Sequence, residues 1–345
     1  MKAVRIHAHG GIDRLCYGET DDPEIQSATD VIVKLKFAAI NRIDLAIRAG
    51  VSGAKISTPR ILGTDGAGTV AAVGAEVKAV RTGDAVCLYP MRGCGRCPAC
   101  LTEQASSCAG RCFFGERDDG TYAEYIRVPE TNCFAIPLGL LFEEAAAFPL
   151  VYVTAWRMLI THADVKPGDW VLVLGTGGGV ATASLHLAIA LGARVIVVSS
   201  SDAKLARALE LGATHGLNYR SQDFANEARR LTEKHGVDVV VDCSGGQNWT
   251  RCFAAIARGG RLVTCGAGAG ASPKNDLKRV FWNHLKIYGT MAGNRAEFYR
   301  LVAFMAVSRR KPVIDQVFPL EDAKWAQQRM QEGRQFGKII LRVDP

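Results

Sequence analysis

VLVLGTGGGVATASLHLAIA, residues 171–190, predicts without a break a buried strand, a glycine-rich turn and a helix. The first four residues are apolar, which is typical of a parallel strand covered on both faces. The glycines leave room for backbone N–H groups to approach a pyrophosphate, and a helix N-terminus favours an anion there. Ala181 is small enough to keep helix and strand close. The pattern predicts dinucleotide binding by Gly175, Gly177, Gly178, Gly179 and Val180.

Strand and helix patterns alternate after this unit. Strands are predicted at 194–198, near 217, at 237–242, at 261–265 and at 286–290, with helices at 203–211, 222–234 and 247–258. Six strands in two such halves predict an α/β fold with a doubly wound parallel six-stranded Rossmann sheet over residues 152–293. Small residues at the ends of two strands lie where this fold binds ligands: Cys243, Cys265, Gly266 and Ala267.

The flanking residues follow a different pattern. Short apolar runs at 2–8, 31–40, 69–73 and 84–89 are separated by Gly, Pro and Asp turn signals, which favours a compact, irregular β domain. Residues from about 294 most simply rejoin it. The predicted organisation is therefore one domain of residues 1–151 and 294–345, and a dinucleotide-binding domain of 152–293.

Four of the eleven cysteines cluster near residues 93–112. Cys94, Cys97, Cys100 and Cys108 have the spacing C-x2-C-x2-C-x7-C. Four thiolates at such spacing form a closed tetrahedral zinc site that leaves no position for a substrate, so the prediction is one structural Zn²⁺. An iron–sulfur cluster and four free thiols are the alternatives.

Composition limits the class of protein. With 345 residues, 48% hydrophobic and 22% charged, the chain can build two domains, and no apolar run has membrane-spanning length. The net charge of +8 is dispersed, so we expect a cytoplasmic protein with a small-molecule substrate and neither a nucleic-acid nor a membrane partner.

The residues after the second strand of the sheet decide which dinucleotide is expected. An NAD enzyme usually places an acid there for the ribose 2′-hydroxyl, whereas this chain has Ser199 and Ser200. Lys204 adds positive charge and Tyr219 follows the third strand, so both can face a 2′-phosphate. The sequence therefore predicts NADP(H).

The whole chain resembles the medium-chain dehydrogenase/reductase superfamily. The resemblance rests on GTDGAGTVAAVG (63–74), the cysteine lobe, FPLVYVTAW (148–156), the glycine turn and FGKIIL (336–341). It implies a GroES-like catalytic domain beside the Rossmann domain. Asn41, Thr64 and Leu150 stand where zinc alcohol dehydrogenases hold their catalytic zinc, and none of them suits that metal. The patterns N-R-x-D and P-x4-T-A-W resemble instead the quinone oxidoreductase and enoyl reductase branch.

That branch implies hydride transfer from NADPH to a quinone or to an activated C=C bond of an enone, enal or enoyl substrate, with no catalytic zinc. It implies cofactor contacts at Asn41, Thr154, Thr290 and Met291, and a homodimer or homotetramer. The catalytic candidates are Asn41, Asp44, Thr64 and Tyr152, of which Asp44 would orient its neighbours.

Two other functions stay open. The first is a zinc-type alcohol dehydrogenase or carbonyl reductase with an atypical active site, which could bind metal through Asp44 or Asp65. The second is a non-catalytic, nucleotide-dependent binding protein.

Overall fold

The computed structural model describes residues 1–345 except 54, 55, 309, 344 and 345. The chain forms two compact units, one of Met1–Leu150 with Asn294–Pro345 and the other of Val151–Gly293. Within the described residues, no helix combines the length and the apolar character that crossing a membrane requires.

The first unit begins with short strands and few helices. Its strands to residue 150 are β1 (Lys2–Ile6), β2 (Cys16–Glu19), β3 (Asp30–Ala39), β4 (Arg60–Ile61), β5 (Asp65–Val73), β6 (Ala85–Leu88), β7 (Met91–Arg92), β8 (Cys112–Phe113), β9 (Tyr125–Pro129) and β10 (Cys133–Ala135). Its helices are α1 (Arg42–Ala49), α2 (Pro98–Leu101) and α3 (Phe142–Ala147), followed by α4 (Pro149–Trp156), which carries the chain into the second unit.

The second unit alternates strictly between strand and helix. It contains β11 (Trp170–Leu174), α5 (Gly179–Ala190), β12 (Arg194–Ser199), α6 (Asp202–Glu210), β13 (His215–Asn218), α7 (Phe224–Leu231), β14 (Val237–Asp242), α8 (Asn248–Ala255), β15 (Ile256–Thr264), α9 (Leu277–Trp282) and β16 (Lys286–Gly289). All five strand pairs are parallel, in the order β13-β12-β11-β14-β15-β16. This is the doubly wound order, so the predicted fold class is confirmed.

The chain then returns to the first unit through α10 (Arg295–Ser308), β17 (Ile314–Pro319), α11 (Ala323–Gln331) and β18 (Lys338–Arg342). The main sheet of that unit has the order β10-β6-β5-β3-β18-β17, and β9 also pairs with β3. β18 is antiparallel to β3, with Ile340 opposite Ala39. This pairing brings β18 beside the segment that leads into α1.

Apolar burial explains both units. In the second, every residue of β11 is buried, and α5 buries eight consecutive residues from Ala181 to Ala188. In the first, Val31, Val33 and Leu35 of β3 alternate into a core shared with β1, β5 and α11. In the first unit, buried and less buried side chains alternate along the strand, as in a sheet that is covered on one face. In the second unit, the strand is apolar throughout, as in a sheet that is covered on both faces.

Candidate active site

Three groups of residues carry chemistry: a buried polar cluster and a cysteine lobe in the first unit, and the glycine turn with its neighbouring strand ends in the second.

The polar cluster is built around Asp65, at the start of β5. Its Oδ2 accepts a hydrogen bond from Asn41 Nδ2 at 2.9 Å and lies 3.1 Å from the Lys338 ammonium. Its Oδ1 accepts the backbone N–H of Leu150 at 2.9 Å. The side chain of Lys338 is 3% exposed and that of Asp65 is not exposed at all, so this is a buried, fully bonded ion pair. Such a pair keeps its geometry because breaking it would leave a buried charge without a partner or water, which costs free energy.

Asn41 joins this ion pair to helix α1. Its Oδ1 accepts a hydrogen bond from Lys338 Nζ at 2.6 Å, while its backbone N–H donates to Asp44 Oδ2 at 2.7 Å. Asp44 thus caps the first turn of α1, where a carboxylate is favoured by the helix dipole. The Asn41 side chain is thereby left to bind the lysine and Asp65.

Asp44 has two further donors. The Thr64 hydroxyl donates to its Oδ1 at 2.7 Å, and the Tyr122 hydroxyl donates to its Oδ2 at 2.8 Å. Burial raises the pKa of Asp44 from 3.8 to about 6, although these hydrogen bonds oppose that rise. Burial, together with the nearby Asp44 charge, raises the pKa of Tyr122 well above its ordinary value. Tyr122 therefore stays protonated and serves Asp44 as a donor.

These residues do not fit a catalytic zinc. The oxygen of Asn41 is bound to an ammonium, the Thr64 hydroxyl donates a hydrogen bond to Asp44, and Leu150 offers an apolar side chain. Asp44 and Asp65, the other candidate ligands, have donors on both of their oxygens. An internal cation, Lys338, supplies the positive charge of this cluster.

The cysteine lobe fits a metal well. Among the described residues, Cys94, Cys97, Cys100 and Cys108 are the one group of three or more His, Cys, Asp or Glu whose ligand atoms approach closely, all within 4.8 Å of one another. The sulfurs of Cys97 and Cys100 are 3.6 Å apart, and those of Cys94 and Cys100 are 4.0 Å apart. A tetrahedron with Zn–S bonds of about 2.3 Å has edges close to these distances.

Glycines and backbone amides shape the lobe. A Cβ at Gly93 would lie 2.5 Å from the Cys100 sulfur, so a larger residue there would displace that sulfur. The backbone N–H groups of Cys94 and Gly110 donate to the Cys108 sulfur at 3.4 and 3.3 Å. Backbone amides lower the pKa of Cys94 to about 6, whereas burial raises the pKa of Cys100 to about 11. Donors to sulfur are the usual support of a metal-bound thiolate, so the lobe fits a structural zinc.

In the second unit, the glycine turn has the backbone that its sequence predicts. Gly175 and Gly177 have φ of +79° and +95°, a region that favours glycine. Gly178 is the N-cap residue of α5, and Gly179 and Val180 open that helix. Thr176 donates its hydroxyl to the Val198 carbonyl at 2.9 Å, which ties the turn to β12. The turn can therefore hold an anion at the N-terminus of a 12-residue helix.

The serines expected at the 2′-phosphate lie at the end of β12. Ser199 is buried, and its carbonyl accepts the N–H of Tyr219 at 3.0 Å, which places Tyr219 beside it. Lys204 and Ser200 are half-buried. The nearest carboxylate along the chain, Asp202, accepts a hydrogen bond from Asn218 at 2.7 Å.

The remaining candidates of this unit lie in two places. Three candidates directly follow parallel strands: Cys243, Cys265 and Thr290. Gly266, Ala267 and Met291 come next along the chain. All six therefore lie at the carboxyl edge of the sheet. Thr154 and Tyr152 are buried in α4, and the Tyr152 hydroxyl is 2.8 Å from His186 Nδ1.

Sequence reasoning missed Lys338 and Tyr122. Lys338 is the first residue of a strand that is otherwise apolar at its buried positions, and its side chain is 3% exposed. A lysine inside the run FGKIIL, where no charge is expected, was the available signal. Tyr122 gave no such signal, because a buried tyrosine is ordinary in a β domain.

Comparisons with known proteins cover both units. The family model described as zinc-binding dehydrogenase matches residues 179–307, and the one described as alcohol dehydrogenase GroES-like domain matches residues 27–138. A zinc-type alcohol dehydrogenase-like protein of Schizosaccharomyces pombe is 33% identical over 99% of this chain and 100% of its own. An alcohol dehydrogenase of Geobacillus stearothermophilus is 32% identical over 94% of this chain and 95% of its own. A crystal structure of an NAD-dependent alcohol dehydrogenase matches with a TM-score of 0.96 and 40% identity, covering 100% of both chains.

Proposed function

The chain belongs to the zinc-binding dehydrogenases of the medium-chain dehydrogenase/reductase superfamily and is an oxidoreductase, and we propose that it transfers a hydride from NADPH to a quinone or an activated C=C bond without a catalytic zinc. The observation that carries this proposal is the Lys338 ammonium, which bonds to Asn41 and Asp65 at 2.6 and 3.1 Å in the cluster where related zinc enzymes would need free ligands. The predictions of a quinone or enone substrate and of the quinone oxidoreductase branch are not established by the relatives, which are named as alcohol dehydrogenases.

Each group of residues would have its own role in binding the cofactor or orienting the side chains around it. The glycine turn and α5 would hold the pyrophosphate, and the strand ends at Cys265, Gly266 and Thr290 would hold the nicotinamide, which supplies the hydride when bound. Asn41 is held rigidly by Lys338 and Asp44, so its side chain fixes the geometry of the polar cluster, and its contact with the cofactor stays a prediction from the resemblance. Thr64 is not exposed and donates to Asp44, so its role is to orient that carboxylate.

Metal content and substrate range test the proposal together. We would measure zinc per chain by mass spectrometry and follow NADPH oxidation with quinones, enals, ketones and, in reverse, alcohols. One zinc per chain with turnover of quinones or enals is the expected result. Two zinc ions with alcohol turnover would establish the alcohol dehydrogenase alternative. Dinucleotide binding with no turnover of any substrate would favour the non-catalytic binding protein.

The preference for NADP(H) rests on Ser199 and Ser200, which present small polar side chains where an acid would repel a 2′-phosphate. Against it, the solved relative is named as NAD-dependent and Asp202 lies close along the chain. Dissociation constants for NADPH and NADH decide the matter. Ser200→Asp should weaken the binding of NADPH and leave the binding of NADH unchanged. Ser221→Asp, on the exposed turn after β13, is the control.

We also propose a homodimer or homotetramer that forms through the β16 edge of the second unit. β16 ends the sheet, Ile287 on it is 43% exposed, and Phe281 and Trp282 of α9 are 63% and 64% exposed. An edge strand beside exposed aromatic residues suits pairing with a second copy. Light scattering should give a multimer that Trp282→Glu converts to a monomer, whereas Trp325→Glu, at the 54% exposed tryptophan of α11, should leave it intact. Cytoplasmic location and the lack of a nucleic-acid partner stay predictions.

A further inference from the structure

Two cysteines of the second unit stand side by side at the carboxyl edge of its sheet. β14 and β15 are parallel, with Asp242 opposite Thr264. The residues that follow are Cys243 and Cys265, and the N–H of Cys265 donates to the Asp242 carbonyl at 3.2 Å, so the pairing continues to this point. Residues opposite each other on neighbouring strands point their side chains to the same face. Their Cα atoms therefore have the separation that a disulfide needs.

The two cysteines directly follow paired positions of adjacent parallel strands, so they are neighbours across the sheet. The neighbouring Cys265 and burial raise the pKa of Cys243 well above its ordinary value. Both residues are half-buried and neither is in a disulfide. The first reaction with an oxidant is assigned to Cys265, which opens the loop after β15.

The pair lies against the backbone proposed to bind the dinucleotide. A Cβ at Gly175 would lie 3.9 Å from the Cβ of Cys243, and a Cβ at Gly266 would lie 2.5 Å from the Cys243 carbonyl oxygen. The glycine turn, Cys243 and the start of the loop after β15 are thus closely packed. A covalent change at the cysteines should shift the backbone at Gly175 and Gly266, because closely packed interiors transmit small displacements.

Other cysteines of the chain lack this combination. Cys87 and Cys133 lie on neighbouring strands of the first unit, but they are one position out of register and both are buried. Cys252 is fully buried in α8, and Cys16 is exposed on β2.

We propose that Cys243 and Cys265 are a peroxide-sensitive modification site whose disulfide weakens binding of the dinucleotide at the glycine turn. The effect on the dinucleotide rests on the proposed function, whereas the disulfide does not.

The chemistry needs a hydroperoxide as oxidant and is balanced. The Cys265 thiolate attacks one peroxide oxygen, the O–O bond breaks, and Cys265 becomes a sulfenic acid while the other oxygen leaves as hydroxide. The Cys243 thiol then attacks the sulfenic sulfur, the S–O bond breaks, and the disulfide forms with loss of water. In total two thiols and one hydrogen peroxide give one disulfide and two waters, and a dithiol reverses the change.

The experiment treats the zinc-loaded protein with hydrogen peroxide and maps disulfides by peptide mass spectrometry, then measures the dissociation constant of NADPH before and after. We expect a 243–265 linked peptide and a dissociation constant raised about tenfold, restored by dithiothreitol. In Cys243→Ser, dimedone should trap a sulfenic acid on Cys265. In Cys265→Ser, peroxide should form no 243–265 link, and the variant's own dissociation constant for NADPH should be the same before and after treatment. Zinc release is followed in parallel, because the zinc thiolates can also oxidise, and Cys16→Ser serves as the control variant.

The outcomes separate this site from the proposed function. If no 243–265 link forms at a peroxide dose that leaves the zinc bound, the modification site is refuted. If the link forms and NADPH binds equally well, its effect on the cofactor is refuted. If the reduced protein binds no dinucleotide at all, the proposed function fails, whereas the mapped disulfide is unaffected.

Discussion

The cysteine lobe and the Asn41–Asp65–Lys338 cluster lie in the same unit, and only one of them is suited to a metal. In the lobe, four sulfurs face one another within 4.8 Å, and two backbone N–H groups donate to the sulfur of Cys108. In the cluster, each carboxylate oxygen of Asp65 has a protein donor, and a lysine provides the countercharge. A metal ligand must direct a lone pair at the ion, and the Lys338 ammonium already bonded to Asp65 opposes the binding of a second cation there. The difference between the two groups is that the lobe offers four sulfurs to an ion, whereas the cluster already contains its own cation.

The largest expected effect comes from removing the internal cation. Lys338→Met leaves the Asp65 carboxylate buried without its countercharge, which should lower the free energy of unfolding by about 3–5 kcal/mol in urea titrations. Zinc should stay at one per chain, because the lobe is not touched.

The double variant Lys338→Met with Asp65→Asn is the matched control for this change. It removes both charges and should recover much of the lost stability. If Lys338→Met alone were as stable as the wild type, the ammonium would not be the neutralising charge of the cluster.

The second prediction concerns pH. The folded state raises the pKa of Asp44 from 3.8 to about 6, so folding takes up a proton in this range. The contribution of Asp44 is therefore most favourable below pH 4, falls as the pH rises to 6, and is constant above it, with a total change of up to about 3 kcal/mol. The measurement is urea unfolding of the wild type and of Asp44→Asn from pH 4 to 8, since the difference between them cancels the other carboxylates. A difference that does not vary with pH would contradict the raised pKa.

The third prediction tests the other side of the comparison. Cys97→Ser should abolish zinc binding and lower the free energy of unfolding by about 2 kcal/mol, less than the cluster variant, because the unit has its own apolar core away from the lobe. Mass spectrometry measures the zinc content and urea titration measures the free energy of unfolding. NADPH binding should be unaffected. Cys16→Ser, on an exposed strand, is the control. Retained zinc in Cys97→Ser would overturn the four-cysteine assignment.

Much of the fold could be predicted because its signals are local. The stretch at 171–190 and the alternation after it determine a doubly wound sheet, and all six strands are present. The predicted first and last residues of the strands and helices were less accurate than their order. β15 begins at Ile256 instead of the predicted 261, because the strand continues through Gly259 and Gly260 and its pairing with β14 shifts register after Val237. Glycines normally signal a turn, and only the neighbouring strand shows that here they do not.

A family pattern marks Asn41, Asp44 and Thr64, and hydrogen bonds join these three residues in one cluster, whereas their catalytic and cofactor-binding roles stay predictions. Lys338 was missed because it is 273 positions from Asp65, and only the pairing of β18 with β3 brings the two together. Tyr122 is likewise 78 positions from Asp44. Hydrogen bonds between distant strands depend on register, which a single sequence does not specify.

The smallest expected effect concerns Tyr122 and sharpens the comparison at the level of a single hydrogen bond. Tyr122→Phe removes one of the three donors to Asp44 but leaves Thr64 and the Asn41 N–H in place, so we expect a loss of about 1.5 kcal/mol, the usual value for a bond to a charged group. The pKa of Asp44 should also rise, because a donor that favours its charged form is gone; carboxyl-carbon NMR titration would measure this. Tyr299→Phe, on a 70% exposed side chain, should change neither quantity. If Tyr122→Phe left the pKa of Asp44 in place, the carboxylate would be held by α1 and Thr64 alone, and the cluster would depend on fewer contacts than its geometry indicates.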